Sequence, residues 1–266
     1  MSVWFAIPSA RPEAEVLPII ECWQNFGYKV ALVRDELLPN GIADYQVSFK
    51  PYLGYAVSVN HLAKEILKRD PHCQWVCTGG DDTLPDPNKT ADEIAFECGR
   101  HFGELHQEYR MEPIVHGGTN QTARSGEARM PWSTFGVMQP TGDRFAQGSI
   151  DRIAGSPWMG REWCLRANGG AGPLWPEFTH CFVDECLQRT AQKLGVFWQR
   201  RDLIHMHMHF MRQSEDINSP ATRTAIPPHL VRWNSRAHWD EMQAIFKRLE
   251  AQDFAPCMPL PVEVCA

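Results

Sequence analysis

The residues best equipped for chemistry fall in three short runs. The first is WVCTGGDDTLPDP, residues 75–87. An apolar stretch, Trp75-Val76-Cys77, ends in Gly79-Gly80, and two adjacent carboxylates follow, Asp81 and Asp82. Glycines admit a bulky ligand close to the backbone. Paired aspartates are hard oxygen ligands suited to Mg²⁺ or Mn²⁺ shared with a phosphate. The same residue types also build an ordinary polar turn after a strand, and the run alone does not separate the two. The second run is His205-Met206-His207-Met208-His209. On a strand the period of two places the three imidazoles on one face, which points to a metal ligand among them, and sends both methionines toward the core. The third is Asp184-Glu185, at the start of a helical pattern. Acids in a first turn complement the helix dipole, and one aimed into a cleft can act as a general base.

Elements of alternating type must position these groups. Residues 3–8 (VWFAIP) predict a buried strand, and residues 13–26 a helix with Val16, Ile19, Ile20 and Trp23 on one face and Gly27 at its end. Strands are expected at 28–34 and 45–49, a helix at 55–69, and the strand carrying the first run at 73–78. A β-α-β-β-α-β order predicts a mostly parallel sheet covered by helices. Further helices are expected at 88–109, 181–194 and 238–250, short strands at 115–118 and 135–138, and one strand-like stretch over 196–210. The segment 113–175 is rich in Gly, Pro, Trp and Arg, and an irregular stretch of that length predicts a substrate-binding loop. The division expected is one α/β domain over 1–250, with a nucleotide-binding half (1–110), an acceptor half (111–250) and a Pro-rich tail (251–266).

Composition bounds the function classes. With 266 residues, 43% hydrophobic and 22% charged, the chain is an ordinary globular one. No apolar run reaches the ~20 residues of a membrane span, and the N-terminus lacks the pattern of a signal peptide. Nine scattered cysteines without a CxxC pair argue for a reducing compartment, so a cytoplasmic setting is expected. The net charge of −6 is unevenly spread. Residues 1–109 carry 9 bases and 16 acids, whereas 110–249 carry 17 bases and 13 acids. Arginine outnumbers lysine 19 to 7, and its fork suits bidentate phosphate contact.

The order of these pieces resembles GT-A-fold glycosyltransferases of the family 2-like group over roughly residues 3–210. The matching elements are AIPSARP after the first strand, Asp35 after the second, Asn60 on the helix before the acid-bearing strand, GGDDTLP, NGGAG, the VDECLQRTAQKLG helix start and the late histidine run. One departure is that the first acid of the usual DxD motif falls on Gly79 or Gly80. The resemblance implies a nucleotide-sugar donor, a UDP-sugar, lined by Pro8, Ser9, Arg11, Asp35 and Asp81. It implies Mn²⁺ or Mg²⁺ on the diphosphate, held by Asp81, Asp82 and His207, with Asp184 as the base for an inverting transfer. Arg161, Arg166, Arg200 and Arg201 are candidates for further phosphate contacts. The layout is also similar to small glycosyltransferases of tailed phages, some of which decorate hydroxymethylated bases in viral DNA. On that likeness the chain would work in a host cytoplasm, with Trp132, Trp158, Trp163 or Trp175 stacking on an exposed base.

Three other readings use the same residues. A nucleotidyltransferase would also place acids and a metal on a nucleotide, but IPSARPEAE lacks an early Gly-rich loop. A zinc hydrolase would be built on the HMHMH run. A catalytically inactive sugar- or DNA-binding module would bind ligand without turnover.

Overall fold

The computed structural model describes residues 1–39, 41–108, 131–143, 155–208 and 231–261. Nine strands and six helices are described: β1 (Ser2–Pro8), α1 (Glu13–Asn25), β2 (Lys29–Arg34), β3 (Tyr45–Ser48), α2 (Tyr55–Arg69), β4 (Cys73–Cys77), β5 (Thr83–Leu84), α3 (Ala91–Glu108), β6 (Val137–Pro140), β7 (Trp158–Gly160), α4 (Arg161–Arg166), α5 (Val183–Lys193), β8 (Phe197–Arg200), β9 (Met206–His207) and α6 (Arg236–Ala251). Seven strands form one sheet in the order β3-β2-β1-β4-β7-β6-β8. β7 pairs antiparallel with both neighbours and every other pairing is parallel. The result is a mostly parallel α/β domain with helices on both faces.

Strand alternation sorts the core into two layers. Phe5, Ile7, Val30, Leu32, Trp75 and Cys77 face α1 and α3, where they pack with Val16, Ile20, Trp23, Ile94 and Phe102. Trp4, Ala6, Ala31, Val33 and Val76 face the other way, against α2, α4, α5 and α6. Trp23 stacks on Phe5 with ring centroids 3.7 Å apart, and its indole N–H donates to the Thr83 carbonyl at 2.8 Å. This contact ties α1 to the segment that follows the two aspartates.

The predicted β-α-β-β-α-β order of the first 78 residues is the observed one, displaced by a residue or two at its ends. Three features differ from expectation. The stretch 196–210 is not one strand: β8 ends at Arg200, a turn follows, and β9 joins a separate two-stranded ribbon with β5. The strand expected at 135–138 runs over Val137–Pro140. β7 and α4 lie where only an irregular loop was expected, because WMGREWCLR is too short to show a period. In the described part of the tail, Cys257 is buried, and the Leu260 N–H donates to the Arg166 carbonyl at 2.9 Å. The strand expected at 115–118 lies outside the described residues. Among those residues, no helix is long and apolar enough to cross a membrane.

Candidate functional site

The chain leaves β1 for β2 on one side and later returns to β4 on the other side of β1. The strand order therefore reverses between β1 and β4. A crevice opens outside the carboxyl ends of parallel strands at such a point, and here it is a cleft of about 620 Å³. Pro8, Ser9, Arg11, Asp35, Asp81, Asp82, Asp184 and His207 all line it.

Each of these side chains is brought in by a local device. The Ser9 N–H donates to the Val33 carbonyl at 2.9 Å, which keeps the post-β1 loop against β2. Arg34 ends β2 and fixes that loop from below, donating to the Arg11 carbonyl at 2.7 Å, the Ser9 hydroxyl at 3.3 Å and the Glu36 carbonyl at 3.0 Å. Burial lowers its pKa, and its charge is retained. At the end of β4, the Thr78 hydroxyl donates to the Ala6 carbonyl at 2.7 Å, and Tyr55 bonds both Thr78 and the Gly79 carbonyl. The chain then turns sharply. The Thr83 N–H donates to the Gly80 carbonyl, and the Gly80 N–H to the Thr83 hydroxyl. A Cβ on Gly80 would collide with the Asp82 carboxylate, so glycine there leaves room for that carboxylate.

The two carboxylates share a cation. Arg11 Nε lies 2.9 Å from Asp81 Oδ1, and a terminal Arg11 nitrogen lies 3.2 Å from Asp82 Oδ2. The Ser9 hydroxyl donates to Asp81 Oδ2 at 2.7 Å. Burial alone would lower the Arg11 pKa, but Asp81, Asp82 and Glu15 outweigh it and raise it.

His207 arrives by pairing. β9 runs antiparallel to β5 with His207 opposite Thr83, and the Met208 N–H donates to the Asp82 carbonyl at 2.7 Å. His207 Nε2 then stands 3.1 Å from Asp82 Oδ1. The run does not present three imidazoles together. His205 is buried in the core, with Nδ1 2.8 Å from the Ser156 hydroxyl and its ring edge-on to Trp23. Burial pushes its pKa down to about 3, so it is neutral. Met206 and Met208 are only half-buried, the reverse of the expected core face. His209 lies outside the described residues.

Asp184 closes the far side, in the first turn of α5 behind Phe182 in a left-handed conformation. It keeps part of its surface open to the cleft. Burial, with a further contribution from Glu185, pushes its pKa up to about 6 against the opposing pull of backbone N–H groups and His207. Beyond it the wall turns aromatic, with Tyr52, Phe182, Trp233 and Trp239. Trp239 packs on Phe182 with centroids 4.6 Å apart and is 43% exposed, and Arg232 lies over the Trp233 ring.

Several predicted participants lie elsewhere. Arg161 caps the Cys73 and Leu67 carbonyls, Arg166 donates to the Leu260 carbonyl, and Arg200 pairs with Glu97 and Asp202. These three hold structure at a distance from the cleft, and Arg201 also lies outside its lining. Trp158 and Trp163 are core residues, Trp132 packs against Gly99 and Phe96 of α3, and Trp175 donates to Glu177. Asn60 pairs with both backbone groups of Leu174, so the NGGAG turn shapes the loop behind the cleft while only Leu174 reaches it. Arg34 and the 232–239 aromatics went unrecognised. A charge ending the apolar strand YKVALVR was the available signal for Arg34.

The lining carries five carboxylates (Asp35, Asp81, Asp82, Asp184, Glu185) and three arginines (Arg11, Arg34, Arg232). An anionic ligand entering here needs added positive charge. Among the described residues, no group of three His, Cys, Asp or Glu side chains is arranged to hold a metal ion by itself. Asp82 with His207 nevertheless offers one oxygen and one nitrogen 3.1 Å apart beside Asp81. Mg²⁺ and Mn²⁺ are commonly held by one or two carboxylates and completed by substrate phosphates, so this donor set fits a cation that enters with a diphosphate. The chain matches no protein-family model and no curated protein.

Proposed function

We propose that this chain is a metal-dependent glycosyltransferase that moves a sugar from a nucleotide-sugar, a UDP-sugar in the first instance, to an acceptor hydroxyl. The observation that carries this reading is the meeting, in one cleft at the strand-order reversal, of a phosphate-competent wall and a carboxylate whose pKa is pushed up to about 6. Open α/β sheets bind ligands at such a point. Pro8, Ser9, Arg11 and Asp35 form the donor wall, and Asp81, Asp82 and His207 would hold Mn²⁺ or Mg²⁺. When bound, the cation supplies neutralising charge to the departing diphosphate.

The protein's own contribution is placement and proton transfer. Arg34 and the Ser9–Val33 bond fix the donor loop. The acceptor lies on the aromatic wall of Tyr52, Phe182, Trp233 and Trp239, which suits a ring that stacks, such as a sugar or the hydroxymethylated base of phage DNA. Asp184 lines the same cleft, two residues after Phe182 of the aromatic wall. It takes the acceptor hydroxyl proton while the acceptor oxygen bonds to the anomeric carbon and the bond from that carbon to the diphosphate breaks. Attack from the face opposite the leaving group inverts the anomeric centre. A carboxylate with a pKa near 6 is mostly ionised at pH 7 yet basic enough to hold the proton.

A zinc hydrolase on the histidine run draws less support, because His205 is bonded to Ser156 in the core and does not line the cleft. The deciding experiment is thermal unfolding with UDP, UDP-sugars and other nucleotides, each with Mn²⁺ and with EDTA. A ligand that binds only the folded state raises the melting temperature by mass action. A UDP-dependent rise that requires Mn²⁺ supports the reading and leads to transfer assays with sugar and modified-DNA acceptors. No rise with any nucleotide removes it.

A further inference from the structure

The cation that neutralises Asp81 and Asp82 in this fold belongs to the protein itself. Arg11 reaches one oxygen of each carboxylate, at 2.9 Å and 3.2 Å. These are the groups that a divalent cation needs under the reading above, on which this inference rests. A dication and a guanidinium sharing one carboxylate pair repel each other, so the two compete for it.

The two arginines under the donor loop are held differently. Arg34 is tied to two backbone carbonyls and the Ser9 hydroxyl, so it stays in place whatever binds. Among the described residues, the side-chain partners of Arg11 are all carboxylates: Asp81, Asp82 and, at 3.6 Å, the exposed Glu15 four positions on. Its side chain is 23% exposed on the cleft wall. Released from the aspartates, it stays on the wall where a diphosphate would lie, and its planar fork matches phosphate oxygens.

We propose that Arg11 is an exchangeable counter-cation. It holds Asp81 and Asp82 when no metal is bound, and it moves to the diphosphate when a divalent cation takes the carboxylates. Metal and nucleotide then bind as a coupled pair, each raising the affinity for the other by the same factor. Metal alone must displace Arg11 without offering it a new anion. Nucleotide alone meets an arginine already committed to the aspartates.

The test is Mn²⁺ binding to the full chain, followed by the electron paramagnetic resonance of free Mn²⁺, with and without UDP. The wild type is expected to bind Mn²⁺ at least 10-fold more tightly with UDP present. Arg11→Met is expected to bind Mn²⁺ alone at least 5-fold more tightly than the wild type, because its competitor is gone. The UDP enhancement should fall below 3-fold, because the phosphate partner is gone too. Arg11→Gln serves as a second substitution if the methionine variant fails to fold. Equal coupling in wild type and a folded variant would overturn the exchange while leaving the glycosyltransferase reading intact. No Mn²⁺ binding to the wild type with UDP would overturn both.

Discussion

Asp184 gives the sharpest test of the site, because its two roles predict opposite signs for one substitution. Its pKa rises from an ordinary 3.8 to about 6, chiefly through burial. An acid whose folded pKa is raised destabilises the native state once it ionises. The unfolded chain loses the proton near pH 4, whereas the native chain holds it to about 6. Stability from this group therefore falls as pH rises across that window and is flat above it. At 1.36 kcal/mol per pH unit the cost at pH 7 is at most about 3 kcal/mol. Asp184→Asn keeps the shape and an oxygen to accept the Glu185 N–H, and it never ionises. The other groups that interact electrostatically with Asp184 (Glu185, His207, Tyr55, Cys181 and Cys186) stay in place. Urea denaturation of wild type and variant from pH 4 to 8 should show equal stability near pH 4. The variant should gain up to about 3 kcal/mol by pH 7. Transfer by the same variant should drop by about 10²–10⁴-fold, the usual loss when a general base is removed. A variant that is less stable at pH 7, or a difference that does not change with pH, would show that Asp184 sits in a structural role and refute the argument.

Three further outcomes follow from the geometry. Asp70 accepts from Ser2, Trp4, Lys29 and the His72 N–H, and although burial opposes them these bonds hold its pKa well below the usual range. Asp70→Asn should cost about 1–3 kcal/mol at pH 7, and the deficit should shrink as pH falls below about 4, measured by urea melts. His205→Gln should lower the melting temperature yet leave Mn²⁺–UDP affinity within about threefold, whereas His207→Gln should weaken it by about 10-fold or more. Equal losses in the two would place both imidazoles on the metal. Gly80→Ala should disturb the Asp82 carboxylate and weaken Mn²⁺–UDP binding, with far-UV circular dichroism unchanged.

Much of the fold was legible because its signals are local. Val16, Ile20 and Trp23 repeat at helical spacing and all three are buried on one face of α1. The unbroken burial of β1 and β2, covered on both faces, likewise follows from their continuous apolar runs. The short elements were not legible. β7 has three residues and α4 six, too few to show a period, and they exist because Val76 and Cys77 of β4 offer an edge for Met159 and Trp158. The error over 196–210 has the same origin. Strict alternation in HMHMH is a strand signal, yet it says nothing about which strand will accept it. β5 accepts only Met206 and His207, and His205 turns into the core toward Trp23 and Ser156.

That pairing also explains how the side chains around the Asp81–Asp82 turn come together. Gly79 and Gly80 precede the two aspartates, so the turn itself offers two adjacent carboxylates and no third. A nitrogen is brought beside them across a two-residue ribbon, 125 positions later in the chain, which sets His207 opposite Thr83 and 3.1 Å from Asp82. The same absence frees space beside Gly80, which a side chain would take from the Asp82 carboxylate. Glycine at position 80 is therefore part of the arrangement and not a gap in it: it lets Asp82 fold back toward both Arg11 and His207. An acid placed there, as in Gly80→Asp, would add a carboxylate to a lining that already holds five, and its Cβ would strike Asp82. Gly80→Asp should therefore weaken Mn²⁺–UDP binding, because the Asp82 carboxylate is pushed aside and the added negative charge repels the incoming diphosphate.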